Sequence, residues 1–430
     1  MTGRRPTILA VRRMIRDLIP TDRSASNSIS FAWLIPSAFP RSSIFAVTAT
    51  RCASKRLEQT MTDTIMISGR SIGRSSEPFI IAEMSGNHNQ SLDRALAIVD
   101  AAAKAGAHAL KLQTYTADTM TLQLARDEFF IDDPASLWKG HSLHELYQQA
   151  YTPWEWHAPI FQRALSLGMI PFSTPFDATA VDFLESLGVA CYKIASFENT
   201  DLPLIRKVAA TGKPMIISTG MATVADIDET VRAARAAGCE QLVLLKCTST
   251  YPATPADTNL LTIPHMRSLF GCEVGLSDHT HGIGASVASV ALGATVIEKH
   301  FTLARADGGV DSTFSMEPDE MAALVVETKR AWLALGQVFY GLTERESKSM
   351  VFRRSLYVAE DLAPGDVLTE KNLRIIRPGL GLAPKYFEVL LGKRVGRSIT
   401  RGTPMSWDLL SSEDGAESAS QQMARGARGR

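Results

Sequence analysis

This chain has no net charge to offer a partner. Its 45 basic residues are matched by 45 acidic ones, so its electrostatics imply no nucleic acid or other polyanion. It has no uninterrupted apolar run of the ~18 residues that a membrane helix needs, so no membrane partner is expected. The five cysteines, Cys52, Cys191, Cys239, Cys247 and Cys272, form no Cys-x-x-Cys pair and no zinc-finger spacing. Three of them lie in or beside apolar runs, which suits buried thiols in a reducing, cytoplasmic compartment. Acids are scarce in residues 1–60, where Asp17, Asp22 and Glu58 stand against nine arginines and a serine-rich middle. An organellar transit peptide has this composition, and so does an over-extended start in GC-rich DNA. The second reading is preferred, because Met61 opens Met-Thr-Asp-Thr-Ile-Met-Ile-Ser-Gly-Arg just before the first strand signal. Residues 1–60 are therefore expected to be a non-native or disordered extension.

From Pro78 onward, strand-like and helix-like runs alternate. The strands read as Pro78–Ser85, Ala109–Tyr115, Met169–Phe176, Cys191–Ser196, Pro214–Gly220, Leu242–Ser249, Val274–Thr280 and Thr295–Thr302. Amphipathic or alanine-rich stretches such as Asp93–Ala105, Trp154–Leu167, Asp177–Leu187 and Val224–Ala237 separate them. Several stop at a glycine (Gly106, Gly168, Gly188, Gly212, Gly238, Gly293), as helix C-termini do. Eight such units in about 260 residues predict a (β/α)8 TIM barrel over residues 61–340. A doubly wound open sheet is the alternative, but it would lack the Gly-x-Gly-x-x-Gly turn such sheets often use.

A barrel draws its chemistry from the last residues of several strands. Here those residues are Glu83, Lys111 with Gln113, Thr174, Lys193 with Ser196, Ser218, Lys246 with Ser249, Ser277 with His279, and Glu298 with His300. Lys111 and Lys193, with the hydroxyls of Thr174, Ser196, Ser218 and Ser277, read as a donor-rich pocket for a phosphate or carboxylate; structural ion pairs are the alternative. Ser277 and His279 are two apart, as are Glu298 and His300, and the small-residue stretch Gly282–Gly293 between them reads as a crossover helix. Two imidazoles at neighbouring strand ends suggest a divalent metal with open positions, or else two hydrogen-bonded rim histidines. The polar loop Ser85–Gln90 can touch a polyhydroxylated ligand or simply cap the next helix. The insertion Thr121–Leu146, with Trp138, His141 and His144, reads as a rim or lid, its histidines lying at the surface.

Residues 341–353 read as a linker. After it, Arg354–Thr369 and Leu373–Gly381 alternate in short runs broken by Pro-Gly and Gly-Asp turns, which predicts a small β-rich module over residues 354–412, about sixty residues long. Residues 413–430 have no periodicity and are expected to be a disordered tail.

The segments Ala82-Glu-Met-Ser-Gly-Asn-His-Asn89, Lys111-Leu-Gln-Thr114, Phe172-Ser-Thr-Pro-Phe176, Tyr192-Lys-Ile-Ala-Ser196, Ser218-Thr-Gly-Met221, Gly275-Leu-Ser-Asp-His-Thr280 and Glu298-Lys-His-Phe-Thr302 together resemble the sialic acid synthase family. The C-terminal module is similar to that family's antifreeze-like (SAF) domain, and the likeness runs in order from residue 77 to 411. It implies condensation of phosphoenolpyruvate with an N-acetylated amino sugar, a divalent metal (manganese first, magnesium or cobalt as substitutes), and a domain-swapped homodimer. Carried over by position, Lys111, Thr174, Lys193, Ser196, Ser218 and Ser277 match the phosphoenolpyruvate pocket, and His279 and His300 the metal ligands. Glu83, Tyr251, Glu298 and Asp311 match the surroundings of sugar and reacting centre, and Arg377 the arginine contributed across the dimer; Gln113 and Ser249 are expected to bind substrate. Ser249 departs from the asparagine of the sialic acid members. Tyr115–Leu122, Ser85–Asn89 and Val310–Ser315 resemble the pseudaminic acid branch, whose acceptor is a 2,4-diacetamido-2,4,6-trideoxy hexose of L-altro configuration. An N-acetylmannosamine-type acceptor, a Schiff-base aldolase using Lys193 or Lys111, and a non-catalytic sugar-binding barrel remain as alternatives.

Overall fold

The computed structural model describes residues 64–134 and 136–412; the expectations for residues 1–60 and 413–430 lie outside this range. Eight parallel strands close into a barrel: β3 (Phe79–Glu83), β4 (Ala109–Thr114), β5 (Ile170–Pro175), β6 (Tyr192–Ile194), β7 (Met215–Ser218), β8 (Leu242–Cys247), β9 (Glu273–Ser277) and β10 (Val296–His300). Each neighbours its sequence successor, and β10 closes on β3 in the register Val296 to Phe79 through His300 to Glu83. The open-sheet alternative is thereby excluded.

A helix leads from each strand to the next: α1 (Leu92–Lys104), α2 (Trp154–Ser166), α3 (Ala178–Ser186), α4 (Leu202–Ala209), α5 (Val224–Ala236), α6 (Thr262–Phe270), α7 (Gly284–Ala291) and α8 (Pro318–Leu335), with a further helix, Leu143–Ala150, in the insertion before α2. Local sequence sets their ends. The side chains of Ser91, Asp177, Asp201 and Thr223 accept from backbone N–H groups of the first turns of α1, α3, α4 and α5, satisfying donors the helix leaves open.

Strand residues alternate between two cores. Leu110, Leu112, Tyr192, Leu244, Val274 and Leu276 face the helices, whereas Phe79, Ile81, Ala109, Phe172, Ile216, Val243, Leu245 and Val296 fill the lumen. Gly275 faces the lumen on β9, and a Cβ there would come within 2.7 Å of Leu245 Cδ2 and 2.8 Å of Val296 Cβ. The same parity aims the lumen-facing residues near the C-terminal end of the strands at one point.

Before the barrel comes a hairpin not anticipated from the sequence, β1 (Ile65–Ile67) with β2 (Arg70–Ile72). Ser68 and Gly69 both have positive φ, the geometry of a two-residue hairpin turn whose twist matches the strands. Ile65, Ile67 and Ile72 pack against Phe79, Ile81 and the other lumen residues, so the hairpin closes the barrel floor.

The C-terminal module has its own core of Leu356, Val358, Leu368, Leu373, Leu390, Val395 and Met405 around the antiparallel pair β11 (Ser355–Val358) and β12 (Leu373–Ile376). No helix among the described residues is long and apolar enough to cross a membrane.

Candidate active site

At the C-terminal end of the barrel, four buried charged side chains alternate in sign. Glu83 Oε2 lies 2.8 Å from Lys111 Nζ, Lys111 Nζ 3.8 Å from Glu298 Oε2, and Glu298 Oε1 3.7 Å from Lys193 Nζ. All four are at most 5% exposed. Hydroxyls and an amide fill the spaces between them. Lys111 donates to Thr174 Oγ1 (3.3 Å), Lys193 to Ser218 Oγ (2.6 Å), Ser277 to Glu298 Oε1 (3.1 Å) and Gln113 Nε2 to Glu83 Oε1 (2.9 Å). Ser196 Oγ accepts from the backbone N–H of Gly220, and Ser249 Oγ lies 3.9 Å from Cys247 Sγ.

Burial and charge push these groups apart. Burial drives the Glu83 carboxyl upward, and Lys111 offsets this only in part. Burial acts on Glu298 in the same sense, but Lys111 and Lys193 outweigh it and keep it a carboxylate. Burial works against the Lys111 cation, yet Glu298 and Glu83 hold it charged, whereas Lys193 is lowered because burial prevails. The chamber thus holds one firm cation, one softened cation and two carboxyls of unequal acidity, the mixture that acid–base chemistry on an anion requires.

Above this layer lie the two histidines, ring centroids 5.3 Å apart. His279 Nδ1 donates to the Thr248 carbonyl (2.9 Å), and although burial works against its cation, Cys247 beside it holds the ring above its ordinary value. His300 Nδ1 is buried with no hydrogen-bond partner, and Asp311 Oδ2 is 3.9 Å away. Burial and then the cations around it hold His300 well below its ordinary value, so its imidazole is neutral. Among the described residues, no cluster of three or more His, Cys, Asp or Glu side chains has metal-site spacing. Two imidazoles at neighbouring strand ends, one neutral with an orphaned nitrogen, nevertheless suit a divalent ion. Tyr251 covers the pair, 4.4 Å from the His279 ring and 6.2 Å from the His300 ring, and Phe314 packs 5.0 Å from His300. Ser85 donates to Asp311, tying the loop after β3 to the loop after β10.

The strand-end residues named from the sequence converge here, apart from Lys246. Lys246 has helix-facing parity and donates to the Cys247 carbonyl (2.6 Å) and Thr248 Oγ1 (3.4 Å), so it is not part of the chamber. Arg377 is exposed on the C-terminal module, whose hydrogen bonds among the described residues stay within the module and its linker. One further group was not foreseen. Glu198, just past β6, is pushed up to about 7 by burial, which outweighs nearby Lys193, and its Oε2 is an unpartnered buried atom. The signal for it was an acid two residues beyond Ser196 at a strand end.

A closed (β/α)8 barrel that gathers lysines, carboxyls and imidazoles from its strand ends is that of a barrel enzyme. Comparison with known proteins gives the kind. The chain belongs to the NeuB family, which it matches over residues 98–340, with a SAF domain over residues 353–411. It is 44% identical to pseudaminic acid synthase of Campylobacter jejuni over 324 residues, covering 75% of this chain and 94% of that protein. It is 42% identical to pseudaminic acid synthase of Helicobacter pylori, covering 77% and 97%. Among solved structures, N-acetylneuraminic acid synthetase of Leptospira borgpetersenii superposes with a TM-score of 0.60 at 31% identity, covering 67% of this chain and 95% of that one.

Proposed function

We propose that this chain is a pseudaminic acid synthase, joining phosphoenolpyruvate, water and 2,4-diacetamido-2,4,6-trideoxy-L-altrose to give pseudaminic acid and phosphate. The observation that supports it best is the buried row Glu83–Lys111–Glu298–Lys193 beneath two histidines, in a chain similar along most of its length to synthases of that name.

Lys111 and Lys193, with Thr174, Ser196, Ser218 and Ser277, hold the phosphate and carboxylate of phosphoenolpyruvate. Gln113, Ser249 and Tyr251 face the open-chain sugar. His279 and His300 would hold a divalent ion, manganese by family likeness, which when bound polarises the sugar aldehyde. C3 of phosphoenolpyruvate then forms a bond to that carbonyl carbon, and the carbonyl oxygen takes a proton from Glu83 or Asp311, both of which burial keeps high. Water adds to the cationic C2 and gives up a proton to Glu198, and the tetrahedral centre collapses by C–O cleavage to release phosphate. Glu298, kept ionised between the lysines, stabilises the positive charge at C2.

The chain divides, on this reading, into a barrel over residues 61–340, a linker over 341–353 and the SAF domain over 354–412. The end of the barrel segment, the linker and the module display Val338 (91% exposed), Tyr340 (95%), Phe352 (64%) and Leu380 (69%), an apolar display that a second copy would cover in a domain-swapped homodimer bringing Arg377 of the partner subunit to the sugar. A cytoplasmic location fits the free thiols of Cys191, Cys239, Cys247 and Cys272.

The test is phosphate release from phosphoenolpyruvate with manganese and a panel of acceptors. The diacetamido L-altrose should be used most efficiently, and phosphoenolpyruvate labelled with 18O at the bridging oxygen should pass that label to phosphate. A preference for N-acetylmannosamine would reassign the acceptor, and a borohydride-trapped lysine adduct would reassign the chemistry.

A further inference from the structure

The insertion between β4 and α2 builds a second cavity beside the chamber. Its volume is about 440 Å3, and Gly86, Trp138, His141, Gln149, Val310 and Thr313 are among the residues that line it. Two of its walls are the backs of chamber residues, because Gly86 follows Ser85 and Val310 precedes Asp311. Trp138 borders both spaces. Its indole N–H donates to the Val310 carbonyl (3.0 Å), and its ring stands edge-on to Tyr251, centroids 6.3 Å apart. Tyr251 in turn lies against His279.

The cavity has no acid, lysine or arginine in its lining. Trp138, Leu137, Leu146 and Val310 give it apolar area, while Gln149, Asn89 and Thr313 give it uncharged hydrogen-bonding groups and His141 a ring. That mixture suits a neutral amide carrying a methyl group, and it contrasts with the charged chamber next door. Reach selects which amide. With carbon–carbon bonds of about 1.5 Å, C4 of an extended sugar lies roughly 4 Å from C1, and an acetamido methyl reaches roughly 4 Å farther. A sugar whose aldehyde sits at His279 and His300 can therefore pass Tyr251 and place its C4 substituent against Trp138. Its C2 substituent stays in the chamber.

We propose that this cavity receives the C4 acetamido group of the acceptor and that Trp138 determines specificity for it. The proposal rests on reading the chain as a synthase that uses a diacetamido hexose. The test compares two acceptors, the 2,4-diacetamido sugar and its analogue with a hydroxyl at C4, by the ratio of their kcat/KM values. Trp138→Ala, which removes the wall, and Thr313→Trp, which fills the cavity from an exposed position, should each lower that ratio at least about tenfold, as loss of a fitted apolar contact does. The proposal is overturned if both variants leave the ratio unchanged, whether by depressing both acceptors equally or neither. If the unaltered protein uses N-acetylmannosamine and not the diacetamido sugar, the function proposed above falls and this subsite with it. Use of the diacetamido sugar with an unmoved ratio sinks the subsite alone.

Discussion

Replacing Asp278 by asparagine should destabilise the barrel far more than loss of one hydrogen bond would. Asp278, just past the end of β9, and Lys299, in β10, take the helix-facing parity, between Ser277 and His279 and between Glu298 and His300. They are 2% and 1% exposed. Lys299 Nζ uses all three protons, on Asp278 Oδ2 (3.0 Å), the Thr280 carbonyl (2.6 Å) and the Gly282 carbonyl (3.0 Å). Asp278 also accepts from the Thr280 N–H (2.9 Å) and Ser286 Oγ (2.6 Å). Asp278→Asn leaves an ammonium buried against two carbonyls with no counter-charge, a loss of about 3–5 kcal/mol. Lys299→Met leaves a buried carboxylate and should cost about as much. The double variant removes both charges, so it should be more stable than the sum of the singles implies, by a coupling of about 2–3 kcal/mol. Urea unfolding of the four proteins, followed by tryptophan fluorescence, measures this cycle. An Asp278→Asn loss below about 1 kcal/mol, or strictly additive singles, would refute the argument that this pair pins the two histidine strands together.

Other outcomes follow from the same geometry. His279→Ala and His300→Ala should each abolish turnover and weaken manganese binding measured calorimetrically; activity that survives a chelator would remove the metal from the scheme. Glu198 at about 7 is half protonated near neutrality, and a base must be ionised to act, so kcat/KM should rise with pH through about 7 and Glu198→Gln should lose that limb; persistence of the limb would assign it to another group. Arg377→Ala should raise the KM for the sugar about tenfold to a hundredfold, as loss of a charged hydrogen bond does. Mixed with inactive His300→Ala subunits under exchange, it should regain partial activity, and no recovery in proven heterodimers would place Arg377 outside the partner's site.

The barrel was legible because strand-like and helix-like runs alternate and terminal glycines such as Gly106 and Gly168, both at positive φ, punctuate them. The chamber was legible because a lysine or acid in an apolar strand must be paired or functional. Parity was the harder part. Lys246 and Lys193 look alike in sequence, but one step of alternation turns Lys246 toward the helices and Lys193 into the lumen, and the strand boundaries had to be known to tell them apart. The same alternation hid Asp278 and Lys299, each flanked by residues of the chamber. Glu198 was missed because it lies past its strand, where only the fold shows that the loop turns inward. The β1–β2 hairpin was missed because three-residue strands carry too little pattern to register.

That hairpin has a kinetic consequence. With Ile65, Ile67 and Ile72 packed against the lumen residues at the bottom of the barrel, the chamber is closed at that end. The lysine end lies at its base, where Lys193 and Ser218 are each 2% exposed, and the histidine end lies nearer the opening. Whatever docks on the lysines must arrive before the sugar and cannot depart until the sugar-derived product has gone. The reaction should therefore be compulsorily ordered, with the small anion first in and phosphate last out, and phosphate should inhibit competitively against phosphoenolpyruvate alone.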